Sequence, residues 1–483
     1  MTDRWSPEHR RKALQDPLRS LGGLHEAGRL KRGVAEFLRI PLLVTVGFAL
    51  LGILTAVLDA RLTGPVRDAA AFLVPPDGAT DFVSAVATSL MTVTSITFTV
   101  LLLAVQQTAS SLTPVVFDQY LRRRSNQLYF GFFVGVTAYS FLVLGLARSD
   151  PKPVIGAAIT LLFAVVALVS LLMIVHSTID QMRPQSVVRS IHELALRARE
   201  DELRMLGRVR AGQESPADAP KRLVRSLDSG YVVSVNVDRL AEVVRRHPEA
   251  DEIMVDGRLG QYLIFGEPIA TIIGLDPDDD DLDDEVLKAF GLDDIRDVDV
   301  ESGYAVDQLE NIAWSSVTSA SQSPNTGITA IRALRDLLGR WLISGERDRS
   351  ERSDTDEDLP IVYVDGAAER AITSLATLVV ASAESRQTQS CAEILKAFSS
   401  IAPRLESRSE RDLFQQCIVS VMPSVIQQAE LPPLTDALEE LAEVMDDEGF
   451  DPAKVRETVG LLREATRRLL PKPSDEPDAA HPQ

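Results

Sequence analysis

Ser84, Thr88, Thr92, Ser95, Thr99, Gln106 and Ser110 recur at three- and four-residue steps along one stretch of the chain. On a helix they share a face. Leu102 and Leu103 interrupt the row. A line of hydroxyls and one amide can do two kinds of chemistry. It can stand in for hydration water around a solute in a narrow path. It can also bond to carbonyls of its own or a neighbouring helix and serve packing alone. Which of these applies depends on the element that carries the row.

That element is long and uncharged. No ionisable residue lies between Asp81 and Asp118. Three further apolar runs accompany it, and the pattern predicts four membrane spans at about 40–58, 82–106, 128–147 and 154–175. As one helix, the segment 82–113 would be ~48 Å long, against a hydrocarbon core of about 30 Å. It therefore projects past the bilayer, tilts strongly, or ends early, near Gln106. Residues 61–76 read as a loop closed by Pro75-Pro76-Asp-Gly78. The third run holds Gly131-x-x-x-Gly135, a short match that permits close helix approach.

Orientation follows from the basic flanks. The segment 1–39 is basic, Arg122, Arg123 and Arg124 lie between spans two and three, and Arg183 and Arg189 follow span four. These flanks predict both termini in the cytoplasm and a multi-pass protein of the inner (plasma) membrane. The first apolar run is long enough to stay as an anchor, and no cleavable signal peptide is read before it. The formal net charge of −20 over 483 residues argues against nucleic acid as the main partner. Cys391 and Cys417 have no metal-ligand spacing and read as buried free thiols in a reducing compartment.

After span four the composition changes. Residues 177–220 read as a helix, kinked at Pro184, and a linker. A small β-rich domain is predicted at 221–275, with strands near 230–237, 252–255, 262–265 and 270–273 and a helix over 238–246. Asp276–Glu285 is an acidic stretch without the EF-hand pattern and reads as a solvated loop. A helical hairpin follows up to 345. The segment 346–470 reads as a charged linker, one strand at 360–364 and a bundle of amphipathic helices, and 471–483 as a disordered tail. The fold class expected is a four-helix membrane domain with a cytoplasmic α+β region, a small β domain plus a helical bundle.

Three groups of residues occur in a fixed order: Phe98–Gln106 and Ala109–Pro114 with Asn126-Gln127 and Phe130–Phe133; Gly230-Tyr231-Val232, Val237-Asp238, Gly257 and Phe265–Ala270; and Asp307-Gln308-Leu309, Ile312-Ala313, Asn325 and Thr329-Ala330. In this combination the chain resembles the DUF2254 family of predicted bacterial membrane proteins over roughly residues 35–345. The resemblance implies an integral membrane protein with a cytoplasmic domain and brings no established activity. The family tends to carry Ser-Pro-Arg near the end of span two and an Asn-Asp-Pro-like stretch before Thr-Ala. Here Thr113-Pro114-Val115 and Ser323-Pro324-Asn325-Thr-Gly stand instead, which puts any role of that Arg and Asp in doubt for this chain.

Catalytic constellations are scarce. The six histidines form no His-x-x-x-His pair, and neither a phosphate loop nor a nucleophile elbow occurs. No catalytic, cofactor-binding or metal residues are assigned, no cofactor is expected, and the chain is not read as an enzyme. The four apolar runs hold no Asp, Glu, Lys, Arg or His, which lowers the expectation of a proton- or ion-coupled carrier. Two functions remain. One is an oligomeric channel in which Ser84, Thr88, Thr92, Ser95, Thr99 and Gln106 line the path. Leu102 and Leu103 would form its apolar gate, and Arg122, Arg123 and Arg124 would ring the inner mouth. Four helices are too few to enclose a wide pore, so this reading requires a homo-oligomer. The other is a membrane-anchored sensor or scaffold that binds a cytoplasmic protein partner. Packing of the hydroxyl row inside the four-span unit is the plainer account of the row itself.

Overall fold

The structure, a computed structural model, describes residues 23–147, 152–212, 220–274, 282–319, 323–350 and 358–469. Most of the basic N-terminal segment, the turn at 149–151, most of the 211–220 linker, most of the acidic stretch, all of 351–357 and the tail lie outside them. The chain divides into two compact units, Met1–Val187 and Val188–Gln483.

In the first unit four helices are long and apolar enough to cross a membrane, over Phe37–Arg61, Pro76–Ser111, Arg124–Leu146 and Val154–Gln181. They belong to α1 (Gly23–Arg61), α3 (Ala79–Ser111), α5 (Arg124–Leu146) and α6 (Val154–Gln181). Helix is what such runs must form, since no other single segment satisfies its own backbone in hydrocarbon. α3 does not end at Gln106. It runs on to Ser111, so its 33 residues make about 50 Å, well beyond a bilayer core. The loop expected over 61–76 instead holds a helix, α2 (Pro65–Leu73), with Pro at its first position. A further short helix, α4 (Val115–Arg122), precedes α5.

Small residues draw α1 and α5 together. A Cβ on Gly131 would lie 2.9 Å from Pro41 Cα and Val44 Cβ, and one on Gly135 would lie 2.5 Å from Phe48 Cδ2. From the other side, a Cβ on Gly52 would meet Leu142 Cβ at 3.2 Å. The Gly-x-x-x-Gly pair is thus a working packing face. Phe48 then stands edge-on to Phe163 of α6, with ring centroids 5.1 Å apart. The buried side of α3 is Val83, Ala87, Leu90, Thr94, Leu101 and Val105.

The second unit contains a five-stranded and a three-stranded sheet with helices around them. The strands are β1 (Val209–Ala211), β2 (Lys221–Arg225), β3 (Gly230–Val235), β4 (Glu252–Val255), β5 (Tyr262–Leu263), β6 (Pro268–Ile273), β7 (Phe290–Asp293) and β8 (Leu359–Tyr363). The larger sheet has the order β1-β8-β4-β6-β2 and the smaller β5-β3-β7. β8 pairs parallel with both β1 and β4, with Val362 opposite Arg210 and Met254. The β region therefore exceeds the 221–275 limits read from the sequence, because β1 and β7 lie outside them and an inner strand, β8, arrives from residues 359–363. α8 (Val237–Arg246) packs into the sheet core through Leu240, Ala241 and Val244. Its Asn236 side chain accepts the Arg239 amide at 3.0 Å, a side-chain N-cap.

Helix α7 (Pro184–Leu206) follows span four in the chain. A small helix, α9 (Asp283–Leu287), precedes β7. The helices of the C-terminal part are α10 (Ser302–Thr318), α11 (Pro324–Ser350), α12 (Ala367–Glu384), α13 (Thr388–Ile401), α14 (Arg408–Val425), α15 (Pro432–Asp447) and α16 (Ala453–Leu469). Their apolar faces meet at Leu309, Leu334, Leu375, Leu395, Phe398, Phe414 and Leu438, all fully buried. α10 and α11 pack with α12 and α13, so the hairpin before 345 belongs to the same bundle. Both cysteines are free. Burial pushes the Cys391 thiol up to about 12, which keeps it protonated.

Candidate functional site

The hydroxyl row lies on α3 beside its packing face, not within it. Thr88, Thr92, Ser95, Thr99, Gln106 and Ser110 are exposed in the four-helix unit, and Ser84 is half-buried. Packing inside the unit is therefore set aside as the account of Thr88, Thr92, Ser95 and Thr99. Their hydroxyls turn back on the helix. Thr88 donates to the Ser84 carbonyl at 3.0 Å, Thr92 to Thr88 at 3.0 Å and Thr99 to Ser95 at 2.9 Å. Each donor is satisfied, while the oxygen keeps lone pairs directed outward. Leu103 is exposed and Leu102 half-buried, so the apolar interruption sits on the same open side. Met91, Ile96 and Val100 flank the row and are exposed too.

Arg122 closes α4, Arg123 is the extended link and Arg124 opens α5. All three are exposed. The turn is held from both sides. Asn126 Nδ2 donates to the Tyr120 carbonyl at 2.9 Å and to Gln181 Oε1 at 3.3 Å. Gln127 Nε2 donates to the Leu121 carbonyl at 3.0 Å. Tyr120 and Thr178 hydroxyls lie 3.3 Å apart. Asn126 and Gln127 thus fix the three-arginine turn against the end of span four, a role their spacing alone does not disclose.

The opposite end of the unit holds an ionisable group that the apolar runs stop just short of. Asp59, at 4% exposure, sits in the last turn of α1. Its two oxygens accept the amides of Ile155 and Gly156, each at 2.8 Å. This is a carboxylate on the N-terminus of α6, where first-turn amides lack helical partners and the macrodipole favours negative charge. Gly156 leaves the room: a Cβ there would lie 2.6 Å from Val143 and 3.3 Å from Asp59 Oδ2. Arg67 of α2 donates to the carbonyls of Asp59 at 2.9 Å and Lys152 at 3.2 Å. Asp59 ties the ends of spans one and four and does not face an open path. The signal for it was its place one residue past an apolar run.

Among the described residues no group of three or more His, Cys, Asp or Glu is set to hold a metal ion. Two of the acids that close the 276–285 stretch are in ion pairs, Asp283 with buried Arg222 at 2.8 Å and Glu285 with Arg246 at 2.9 Å.

Four apolar helices, closed by a small-residue face and joined in sequence to a mixed-sheet and helical unit, define a multi-pass helical membrane protein. The chain belongs to the DUF2254 family, described as predicted membrane proteins, whose pattern matches residues 35–400. No curated protein and no solved structure matches the chain.

Proposed function

We propose that the protein is an oligomeric, channel-like protein of the bacterial inner membrane, with span two lining the path and the C-terminal unit assembling or regulating the ring. The observation that supports this reading is the hydroxyl row standing outside the packing of its own four-helix unit. A face turned only to lipid gains nothing from Ser84, Thr88, Thr92, Ser95, Thr99 and Gln106 in register, and an amide such as Gln106 is costly there. Around a symmetry axis the same face meets copies of itself and water. Leu102 and Leu103 then form a constriction that closes by dewetting. The basic flanks support a cytoplasmic location for both termini, which puts Arg122, Arg123 and Arg124 at the inner mouth. The acidic C-terminal unit opposes the anion preference those arginines would give. No enzymatic activity and no cofactor are proposed.

The membrane-anchored scaffold that binds a cytoplasmic protein is the second reading, favoured by the exposed Tyr262, Ile264 and Phe265 around β5. Cysteine substitution at Thr92 and Thr99, with Cys391 and Cys417 replaced, separates the two in liposomes. Reaction of both positions with a water-soluble thiol reagent, together with an oligomer in detergent, supports the channel. A strict monomer, or reaction at Ser84→Cys alone, sinks it.

A further inference from the structure

The second unit holds a cavity of about 200 Å³ where α7, the turn at 258–261 and the starts of α10 and α12 meet. Three arginines line it, Arg199, Arg258 and Arg370. Its acids are committed to partners. Arg199 is bound by Glu202 at 3.1 Å and by both oxygens of Asp365. Glu202 also accepts the amide of Ser302 at 2.8 Å and its hydroxyl at 2.5 Å. Asp365 accepts the amide of Ala367 at 3.1 Å. Glu301 is engaged by Arg296 through two nitrogens.

The two remaining arginines are differently placed. Arg370 keeps 31% of its side chain exposed, gives Nη1 to Asp307 at 2.9 Å and lies 4.0 Å from Glu301 Oε1. Arg258 is 41% exposed and meets Glu369 only at 3.6 Å, beyond hydrogen-bond reach. Each lies against a glycine at a helix start. A Cβ on Gly303 would stand 3.3 Å from Arg370 Cδ, and one on Gly366 would stand 3.3 Å from Arg258 Nη1. Gly260, in the turn at 258–261, has a φ of +76, and a Cβ there would overlap the Glu301 carboxylate. The cavity thus presents two partly exposed guanidiniums, while the first amides of α10 and α12 are taken by Glu202 and Asp365.

We infer that this cavity binds a small ligand through a phosphate or carboxylate group held by Arg258 and Arg370. Guanidinium forks match such oxyanions. Arg199 and Glu202, on another wall, belong to α7, the helix that follows span four in the chain. The inference stands whether or not span two lines a path.

Calorimetric titration of the full chain in detergent with pyrophosphate, and separately with citrate, tests it. Saturable binding of at least one is expected, weakened about tenfold or more by Arg258→Gln and by Arg370→Gln. Arg246→Gln, in the ion pair with Glu285 elsewhere in this unit, should change it less than about twofold. Binding of pyrophosphate alone assigns a phosphate ligand, and of citrate alone a carboxylate. Arg258→Gln, whose ion pair is weak, should keep the wild-type melting midpoint, which separates loss of affinity from loss of fold. Absence of saturable heat for both anions up to about 10 mM, or equal weakening by Arg246→Gln, overturns the proposal.

Discussion

The face that joins span one to span three and the open face of span two are both built from small or hydroxyl residues, yet one is closed and the other is not. At the first, Gly131, Gly135 and Gly52 have no room for a Cβ. At the second, Thr88, Thr92 and Thr99 are exposed and bond only to their own helix. Glycine lets backbones approach until dispersion holds them, which is useful only against a partner already present. Threonine satisfies its hydroxyl locally and leaves an oxygen outward, which suits a partner or a solvent still to come. Back-bonded hydroxyls also occur in closed contacts, at Thr55, Ser140 and Thr160, so the exposure of the row on span two, not its composition, leaves that face open.

The largest effect should come from breaking the closed face. In Gly135→Leu the first added carbon already meets Phe48 Cδ2 at 2.5 Å, and the rest of the side chain must displace Phe48 from Phe163. Overpacking of this kind costs about 1–3 kcal/mol or more. Reversible unfolding in mixed micelles should show that loss; wild-type stability would mean α1 and α5 do not approach as described. Asp59→Leu comes next. It strips two charge-assisted bonds from the amides of Ile155 and Gly156, at about 2–3 kcal/mol in the same assay. Asp59→Asn keeps one acceptor for the pair and should fall between.

How much of this was legible follows the same division. The four spans could be read because an uncharged run leaves the backbone no choice but helix. The Gly131–Gly135 face could be read because its spacing is local. α2 was missed although Pro65 and the alanines at 69–71 are helix signals, since the flanking Gly64 and Pro75 read as loop. β8 was visible as a strand, but its place between β1 and β4 was not, because pairing across more than a hundred residues leaves no local trace. The same holds for the Arg258–Arg370 cavity, whose walls come from four separate segments. The hydroxyl row was plain in sequence. Its exposure was not, because exposure depends on which way α3 turns against α5 and α6.

The thiols give a finer test, since accessibility on span two must be read above background. Cys391 is held protonated by burial, with its thiol pushed up to about 12. Cys417 is half-buried, and its thiol is also raised by burial. At pH 7–8 the folded protein should therefore show one slowly reacting thiol and a second that reacts only on unfolding. Fast reaction of both would mean that the bundle around α13 and α14 is open.

The smallest effect on stability should come from the open face. In Thr88→Val, Thr92→Val and Thr99→Val together, each lost hydroxyl had bonded only to the carbonyl four residues back. Back-bonds within a helix contribute little, even bonds between membrane helices averaging only about 0.6 kcal/mol, and valine restores the volume. If the row is only a decorated lipid face, the triple variant should match the wild type in unfolding, in oligomer size and in liposome flux. If copies or water meet there, unfolding of the four-helix unit should change by less than about 1 kcal/mol in total while oligomer size or flux changes clearly. A variant that loses the fold of the unit would instead show that the row is packed after all, and the contrast between the two faces would fail.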